Sequence, residues 1–366
     1  MSHLNKKKTI AFVTHSLAAG GAERVITTLA NELSTSYSVV IITLIALPPF
    51  YPLKKNIQLV HCKEEIPPSK NSYQAIRTNY ELIKRIVHLL RTHKVDLCIG
   101  FLTTSNILSI IASKYLRIPV IVSERNNPYL EDGLVPKFWK IIRGRVYPFT
   151  DFLVVQTETI KNYYRGKLKE NKLVIIPNPI NPDFKRSTQT KRKNIILNVG
   201  RLADQKRQDL LIRAFANIRP SGWELHIIGE GENRPQLESL IKQLKLDQKV
   251  QLIGQTKNVQ EHYETGKIFA FTSKYEGFPN ALLEAMYFGM ACVSTDCPSG
   301  PSSLIEDGTN GFLIPVDDQK ALEERLSALI DNRKEIENIG KAAEISTTRF
   351  AVGKIISEWE ALFNFK

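Results

Sequence analysis

The stretch FTSKYEGFPNALLEAMYFGMACVSTDCPSGPSSLIEDGTNGFLIP, residues 271–315, decides the fold of the second half of the chain. It opens on the end of a short apolar strand, and a polar loop that carries Glu276 follows. A helix is predicted to begin at Pro279, because proline suits a first helical position, where its missing N–H would be unpaired anyway. Apolar strand-like runs follow at 292–295 and 311–315. This alternation predicts a parallel sheet covered by helices.

The same alternation extends through the whole chain of 366 residues, which is more than one hydrophobic core comfortably supports. A proline-rich segment without apolar periodicity, residues 181–193, predicts a linker. We therefore predict an α/β protein with two doubly wound domains, residues 1–180 and 194–350, and a final helix within 351–366. The strand-like runs are 9–14, 39–44, 97–100, 120–123, 152–156 and 173–176 before the linker, and 195–200, 224–229, 250–254, 268–272, 292–295 and 311–315 after it.

The start of the helix at Pro279 and two glutamates form the sharpest candidate site. Unpaired N–H groups and the helix dipole at this end favour a bound anion. Glu284 lies five residues further on, roughly 7–8 Å along the axis, where a carboxylate can accept hydrogen bonds from both hydroxyls of a ribose. Glu276, before the helix, can reach the group on the other side of a diphosphate. One ligand accounts for both acids, namely a nucleoside diphosphate that carries a sugar.

Two cations follow the strand 195–200. Arg201 comes directly after it, and Lys206 lies in the loop before the next helix. Arginine can fork to two phosphate oxygens and lysine supplies a point charge, so the pair suits a diphosphate. The alternative is surface ion pairing with Asp204 and Asp209.

Glycines mark two further strand–helix junctions. Gly20 and Gly21 are adjacent, so the G-x-G-x-x-G fingerprint and the later acidic residue of a nicotinamide-dependent oxidoreductase are not found. The pair allows a ligand close to a helix N-terminus, and a plain tight turn is the alternative. Gly229 opens the segment GEGENRPQL, residues 229–237, which is a weak signal by itself.

Together these segments resemble the retaining glycosyltransferases of family 4, whose GT-B fold has two Rossmann-like domains facing a cleft. The resemblance is carried by Glu276 and Glu284, spaced as E-x7-E within EGFPNALLEAM, and by GGAERV, VGRLADQKRQDLLIRAF, IIGEGENRPQLESLI and DGTNGFLIP. It covers nearly the whole chain in the right order. The stretch VSERNNPYL is similar to that of enzymes acting on undecaprenyl-diphosphate-linked or other surface-glycan acceptors.

The resemblance implies roles for the residues of the donor site. Arg201 and Lys206 bind the donor diphosphate, Glu284 binds the ribose and Glu276 the sugar, and catalysis is expected of Glu276, Arg201 and Lys206. The other residues expected at the donor are Gly20, Gly21, Gly229, Gly277, Phe278, Pro279 and Asn280. The donor is expected to be a UDP-activated hexose or N-acetylhexosamine. The resemblance also implies that the final helix packs back on the first domain.

The acceptor is expected on the first domain, at His15, Glu124 and Arg125. Several relatives have a histidine after the glutamate in the loop that follows the fourth strand. This chain has Glu124–Arg125 there, which weakens any role for a histidine in that loop. His15 is a nearby alternative, although a lone histidine is more often structural.

No cofactor and no metal are expected. An Asp-x-Asp metal motif is missing at every plausible strand end of the sequence, and Asp317–Asp318 suits a helix cap. The two cations and the helix start at Pro279 would stabilise the leaving group. Retention of the anomeric configuration follows only from the resemblance.

The positive charge lies in the first half. Residues 1–180 hold 25 Lys and Arg against 12 Asp and Glu, a net of +13, whereas residues 181–366 hold 25 of each. This excess predicts a polyanionic partner. The segment KFWKIIRGRVY, residues 137–147, is amphipathic if helical, with Phe138, Trp139, Ile141, Ile142 and Val146 on one side and Lys137, Lys140 and Arg143 on another. It suits an anionic membrane surface, and an ordinary packed helix is the alternative.

Four scattered cysteines and no convincing signal peptide favour a cytoplasmic protein, peripheral on the inner face of the membrane. Two other functions stay open. A sugar-nucleotide epimerase of the same fold would bind UDP-sugar without an acceptor. A nucleic-acid-binding module would explain the charge but not the E-x7-E segment, so no nucleic acid is expected.

Overall fold

A computed structural model describes residues 7–130, 137–187 and 191–363, and the chain divides into two compact units. The first unit comprises the chain up to Asn178 together with the residues from Gly353 onward, and the second unit is Pro179–Val352. Residues 188–190 of the predicted linker and 364–365 of the predicted final helix lie outside the described residues.

The first unit is built on a sheet of seven parallel strands in the order β3-β2-β1-β4-β5-β6-β7. The strands are β1 (Thr9–Thr14), β2 (Ser38–Ile45), β3 (Gln58–Lys63), β4 (Leu97–Phe101), β5 (Val120–Ser123), β6 (Phe152–Val155) and β7 (Leu173–Ile175). The helices are α1 (Gly21–Leu33), α2 (Ser72–Thr92), α3 (Thr103–Leu116), α4 (Lys137–Val146) and α5 (Glu158–Tyr164), with α13 (Val352–Ala361) returning from the second unit.

Strand β1 illustrates why this sheet lies inside the unit. All six of its residues are buried, as expected for a central strand of a parallel sheet covered on both faces. Ala11 and Val13 point into one core, which they share with α2, α3 and α4. Ile10 and Phe12 point into the opposite core, which they share with α1 and with the apolar side of α13.

The second unit has six parallel strands in the order β10-β9-β8-β11-β12-β13. They are β8 (Ile195–Val199), β9 (Glu224–Ile228), β10 (Val250–Gly254), β11 (Ile268–Phe271), β12 (Ala291–Thr295) and β13 (Phe312–Ile314). The helices are α6 (Gln208–Ile218), α7 (Arg234–Gln243), α8 (Val259–Thr265), α9 (Asn280–Tyr287), α10 (Pro301–Leu304), α11 (Gln319–Asp331) and α12 (Arg333–Ser346). Two hydrophobic cores again cover the faces of the sheet.

Each sheet changes direction at one place. In the first unit β1 lies between β2 and β4, and in the second β8 lies between β9 and β11. The connections on the two sides of β1, and of β8, lead away in opposite directions, which opens a crevice at the carboxyl ends of those strands. His15 and Gly20 follow β1, and Arg201 follows β8, so the structure locates these predicted residues at the two switch points.

The predicted doubly wound α/β fold is confirmed, with two differences. Strand β3 was not expected, because its sequence QLVHCK is mostly half-buried at the edge of the sheet and lacks a continuous apolar run. Helix α9 begins at Asn280 rather than Pro279, which occupies the capping position. None of the helices in the described part of the chain combines the length and the hydrophobicity needed to cross a bilayer.

Candidate active site

Two loops of the second unit are joined into one structure at the carboxyl ends of β8 and β11. Gln205 Nε2 donates to the carbonyl of Tyr275 at 2.7 Å, and the amide of Lys274 donates to the carbonyl of Gln205 at 2.8 Å. Thr272 Oγ1 donates to the carbonyl of Lys206 at 2.8 Å. These bonds fix the loop after β8 against the loop after β11, although about 70 residues separate them in sequence.

Lys206 and Glu276 meet at this junction. Lys206 Nζ lies 2.6 Å from Glu276 Oε1, and it also lies 5.3 Å from the centre of the Phe271 ring. Glu276 is only 8% exposed. Because water screens such a pair poorly, removal of either charge would leave the other uncompensated. Two residues predicted separately to contact one ligand therefore form a single ion pair.

The alternative reading of the cations, ion pairing with Asp204 and Asp209, is not what the structure contains. Asp209 pairs instead with Arg207, at 3.0 Å between Oδ1 and Nε, and Asp204 accepts from Asn233 at 2.6 Å. Arg207, which the sequence did not single out, thus forms the ion pair with Asp209.

Arg201 differs from Lys206 in its surroundings. Its carbonyl accepts a hydrogen bond from the buried Gln208 at 3.0 Å, which fixes the backbone. Its side chain is exposed, and within residues 7–130, 137–187 and 191–363 its guanidinium has no ion pair or hydrogen bond. The guanidinium is therefore available to an anionic ligand.

The start of α9 is braced by a turn that the sequence did not single out. Ser299 Oγ donates to the carbonyl of Glu276 at 2.6 Å. Gly300 has a φ of +154°, and a Cβ there would lie 2.7 Å from Cδ of Pro279. Only glycine satisfies both the backbone angle and the close approach. The turn holds Glu276 and Pro279 in fixed positions relative to each other.

Glu284 lies one turn into α9 and is 4% exposed. The hydroxyl of Tyr263, a fully buried residue of α8, donates to Glu284 Oε2 at 2.9 Å. This bond orients the carboxylate. No motif around Tyr263 pointed to this role, because the contact depends on how α8 packs against α9.

The other predicted donor residues have structural surroundings of their own. Gly229 has a φ of +144°, and a Cβ there would clash with the carbonyl of Gly200, so glycine is needed for two backbones to pack. Phe278 is buried with its ring 6.3 Å from that of Phe350, within the core. Gly277 and Asn280 are half-buried beside Glu276 and Pro279. Donor contact by these four residues stays a prediction.

At the switch point of the first unit, His15 is exposed and its carbonyl accepts from the amides of Leu44 and Ile45. Gly20 caps α1 in an extended conformation, and Gly21 is its first residue. A Cβ on Gly20 would clash with the carboxylate of Glu23. Glu23 was not among the residues predicted at the site. Burial raises the pKa of Glu23, while its own backbone N–H and His15 oppose the shift. This carboxylate lies at the positive end of α1.

Glu124, predicted to bind an acceptor, is completely buried. Its carboxylate accepts hydrogen bonds from Tyr147 at 2.7 Å and Thr103 at 3.2 Å, and lies 3.9 Å from Arg143. Tyr164 also donates to this carboxylate, at 3.3 Å, so side chains of its own unit enclose it and keep it from solvent. Direct contact would require the network to open.

Arg125 is 6% exposed and lies among aromatic rings. Its guanidinium lies 5.1 Å from the centre of the Phe101 ring and 5.9 Å from that of Trp359 on α13, and Nη1 donates to Asn178. Burial lowers the pKa of Arg125 to about 9. Arg125 therefore contacts both segments that close the first unit, Asn178 and α13, as well as Phe101 of its core. Acceptor binding by Arg125 stays a prediction.

Helix α4 is amphipathic in a different way from the prediction. Trp139, Ile142 and Val146 pack on the core, whereas Phe138 and Ile141 are 52% and 57% exposed. Arg143, expected on a basic outer face, is 3% exposed. It donates to the Tyr163 hydroxyl at 3.2 Å and lies near Glu124. The prediction that Arg143 belongs to the basic side of α4 was wrong, because the buried Glu124 attracts it inward.

Comparisons with known proteins match both units. Residues 19–184 match the family described as Glycosyltransferase Family 4, and residues 180–345 match the family described as Glycosyl transferases group 1. A Campylobacter jejuni protein is 31% identical over 96% of each chain; it is named as an α-1,4-N-acetyl-D-galactosaminyltransferase of GalNAc-α-(1->4)-GalNAc-α-(1->3)-diNAcBac-PP-undecaprenol.

Two further similarities extend over most of the chain. A second Campylobacter jejuni protein, named as an N-acetylgalactosamine-N,N'-diacetylbacillosaminyl-diphospho-undecaprenol 4-α-N-acetylgalactosaminyltransferase, is 28% identical over 87% of this chain and 89% of its own. The crystal structure of Anabaena HepE in complex with UDP has a TM-score of 0.80 and 17% identity, covering 96% of this chain and 98% of its own.

Proposed function

The chain belongs to glycosyltransferase family 4 and is a glycosyltransferase of the GT-B fold, and we propose that it transfers a hexose or N-acetylhexosamine from UDP to a polyprenyl-diphosphate-linked glycan, with retention of configuration. Both Campylobacter jejuni relatives are named for undecaprenyl-diphosphate-linked acceptors, which supports this acceptor class. The UDP bound by the Anabaena structure supports the nucleotide.

The observation that carries the proposal is the junction at the carboxyl ends of β8 and β11. It brings an exposed guanidinium, the Lys206–Glu276 ion pair and the start of α9 into one unit of structure. Cations and the positive end of a helix at a switch point are the groups that a nucleoside diphosphate requires. Arg201 and Lys206 bind the two phosphates in this proposal, and Glu284 accepts from the ribose hydroxyls.

The ion pair gives the site a ligand-responsive element. When a diphosphate reaches Lys206, its oxygens share the ammonium with Glu276, and the carboxylate becomes free to accept from hydroxyls of the sugar. Each charge-assisted hydrogen bond contributes about 1.5–3 kcal/mol. The Ser299–Gly300 turn holds the acid in place while its partner changes.

In the reaction, the bond between the anomeric carbon and the β-phosphate oxygen breaks, and its electron pair stays on that oxygen. A hydroxyl of the acceptor forms the new bond to the anomeric carbon, and its proton passes to the released β-phosphate oxygen of UDP. Arg201, Lys206 and the amides at the start of α9 stabilise the charge that develops on UDP, and are positioned before the reaction begins. We propose that these groups act without a metal.

We place the acceptor on the first unit, where the net positive charge is concentrated. His15 is the exposed candidate at its switch point, and the diphosphate of a lipid carrier is the counterpart of the net positive charge of this unit. In this proposal the buried Glu124 and Arg125 do not contact the acceptor directly, but stabilise the conformation of the loop that follows β5.

An anionic bilayer is the proposed site of action, on the cytoplasmic side. Helices α2, α3 and α4 pack side by side on one face of the sheet. Their outer surface exposes large apolar side chains among basic ones, an arrangement that suits the headgroup region. The exposed apolar residues are Tyr73, Ile76, Tyr80, Tyr115, Phe138 and Ile141, and the exposed basic ones include Lys84, Arg91 and Arg145.

The function is tested by incubating the protein with individual UDP-sugars and polyprenyl-diphosphate-linked glycans, and analysing the products by mass spectrometry and NMR. We expect one added sugar, with the anomeric configuration of the donor, and product formation slowed about 10- to 150-fold in Arg201→Ala at matched concentration. Formation of an epimeric UDP-sugar without acceptor would identify an epimerase instead, and contradict the proposal.

The membrane surface is tested separately by co-sedimentation with phosphatidylglycerol vesicles. Burying two large apolar side chains contributes about 2–4 kcal/mol, so Phe138→Ser/Ile141→Ser is expected to abolish most binding at low salt. Ile345→Ser, at a comparably exposed residue of α12, is the control and retains binding. Equal binding by both variants would remove α4 from the surface.

A further inference from the structure

A cavity lies in the second unit, away from the junction of the loops after β8 and β11. It has a volume of about 500 Å³. Its walls are the segment before β8, Lys267 immediately before β11, the turn Phe288–Gly289 between α9 and β12, and one side of α12. Lys267 precedes the amino end of β11, whereas Glu276 follows its carboxyl end. The two sites therefore lie at opposite ends of the strands of this sheet.

The lining of this cavity is strongly basic. It contains two acidic residues, Glu337 and Glu344, which are neutralised by Arg333 at 2.9 Å and by Arg186. Four cations remain, and within the described ranges none of them has a carboxylate within ion-pair distance. They are Lys191, Arg192, Lys267 and Lys341.

Two of these cations are held in place by uncharged acceptors. The Arg192 guanidinium donates to the carbonyls of Gly266 and Phe288. Lys267 Nζ donates to Asn194 Oδ1 at 2.6 Å and lies 5.9 Å from the centre of the Trp223 ring. Their positions are therefore fixed by uncharged groups, and within the described residues neither cation forms an ion pair.

Charges of both signs act on two of these cations: Arg186 and Arg333 disfavour the charged forms of Arg192 and Lys267, whereas Glu344 and Glu337 favour them. Burial lowers the pKa of Arg192, and the charge of Arg186 lowers it further. The pKa of Lys267 is lowered by burial and then by Arg333. A multivalent anion between the cations would favour their charged forms further.

We propose that this cavity binds a phosphate-bearing anion, either a soluble phosphorylated compound or the headgroup of an anionic phospholipid. Four cations match the charge of a diphosphate, and the fixed charges of Arg192 and Lys267 beside the flexible ammonium of the exposed Lys341 suit phosphate oxygens. The volume leaves room for a group larger than the anion itself. This site is independent of the donor site.

Inorganic pyrophosphate is the probe, added to the protein in saturating UDP so that the donor site is occupied. Thermal unfolding and calorimetric titration are compared for the native chain, Lys267→Ala/Lys341→Ala and the control Lys320→Ala, whose side chain is 86% exposed on α11. We expect binding by the native chain and the control, and a dissociation constant raised about tenfold or more in the double variant.

Without pyrophosphate, the double variant is expected to unfold at a temperature close to that of the native chain, because neither lysine holds an ion pair within the described residues. Lys341→Glu serves as a second variant if the first does not fold, and should also lose binding. No binding by the native chain, or equal binding by the double variant, would overturn the proposal.

The source of the phosphate is distinguished with phosphatidylglycerol and phosphatidylcholine vesicles. Weaker binding of Lys267→Ala/Lys341→Ala to the anionic vesicles assigns the cavity to a lipid headgroup. Unchanged vesicle binding, together with lost pyrophosphate binding, assigns it to a soluble compound. Crystals soaked in tungstate, a heavy phosphate analogue, should show an anomalous peak between Arg192, Lys267 and Lys341.

Discussion

Replacing Lys206 by methionine should separate the two roles of its ammonium, because it pairs with Glu276 in the free protein and with the diphosphate in the proposed complex. The pair is 2.6 Å long, and its side chains are 19% and 10% exposed. Removing one partner of a buried pair costs about 3–5 kcal/mol, since the other charge is left uncompensated. With the remaining exposure we expect about 2–3 kcal/mol for Lys206→Met.

Arg201→Met is the matched comparison. Its guanidinium is exposed, so the loss of stability should stay within about 0.5 kcal/mol. Both variants remove one charge-assisted contact to the leaving group, worth about 1.5–3 kcal/mol, so each should lower kcat/KM by about 10- to 150-fold. Activity thus falls similarly in both variants, whereas stability falls only in Lys206→Met.

The double variant Lys206→Met/Glu276→Gln gives the sharpest result. Glutamine at position 276 carries no charge, so no uncompensated carboxylate remains. Most of the stability that Lys206→Met loses should therefore return, while activity stays low. Urea unfolding and steady-state kinetics with a labelled UDP-sugar measure the two properties. The reasoning is refuted if Arg201→Met is as unstable as Lys206→Met, or if the double variant regains activity along with stability.

Three further outcomes follow from the described contacts. Glu284→Gln should weaken UDP binding by about 1.5–3 kcal/mol in calorimetric titrations, and Tyr263→Phe, which removes only the orienting hydrogen bond, should weaken it less. Glu23→Gln should raise Tm at pH 7, because the raised pKa of Glu23 means that its charged form is disfavoured in the folded state; the difference from the native chain should vanish below about pH 4, and a constant difference would contradict this. Arg125→Lys should lose about 1–3 kcal/mol in urea unfolding, since lysine has no planar group to lie against the Phe101 and Trp359 rings, whereas the exposed Arg91→Lys should change stability by less than about 0.5 kcal/mol.

The sequence by itself determined the two sheets and the positions of the candidate residues along them. Buried runs such as TIAFVT in β1 can only be central strands, because every side chain is apolar or shielded and helices must cover both faces. The spacing from Glu276 to Glu284 is likewise local, since it depends only on a loop and the first turn of α9. Strand β3 escaped prediction because its edge position demands no apolar pattern.

Only the tertiary structure decided which of these residues meet. The pairing of Lys206 with Glu276 depends on β8 lying next to β11, and Tyr263 reaches Glu284 through the packing of α8 on α9. Burial was equally invisible in the sequence, where Arg143 on α4 looks like any solvated cation. Contacts across many residues are set by the order of strands and the packing of helices, and no local pattern of side chains encodes that order.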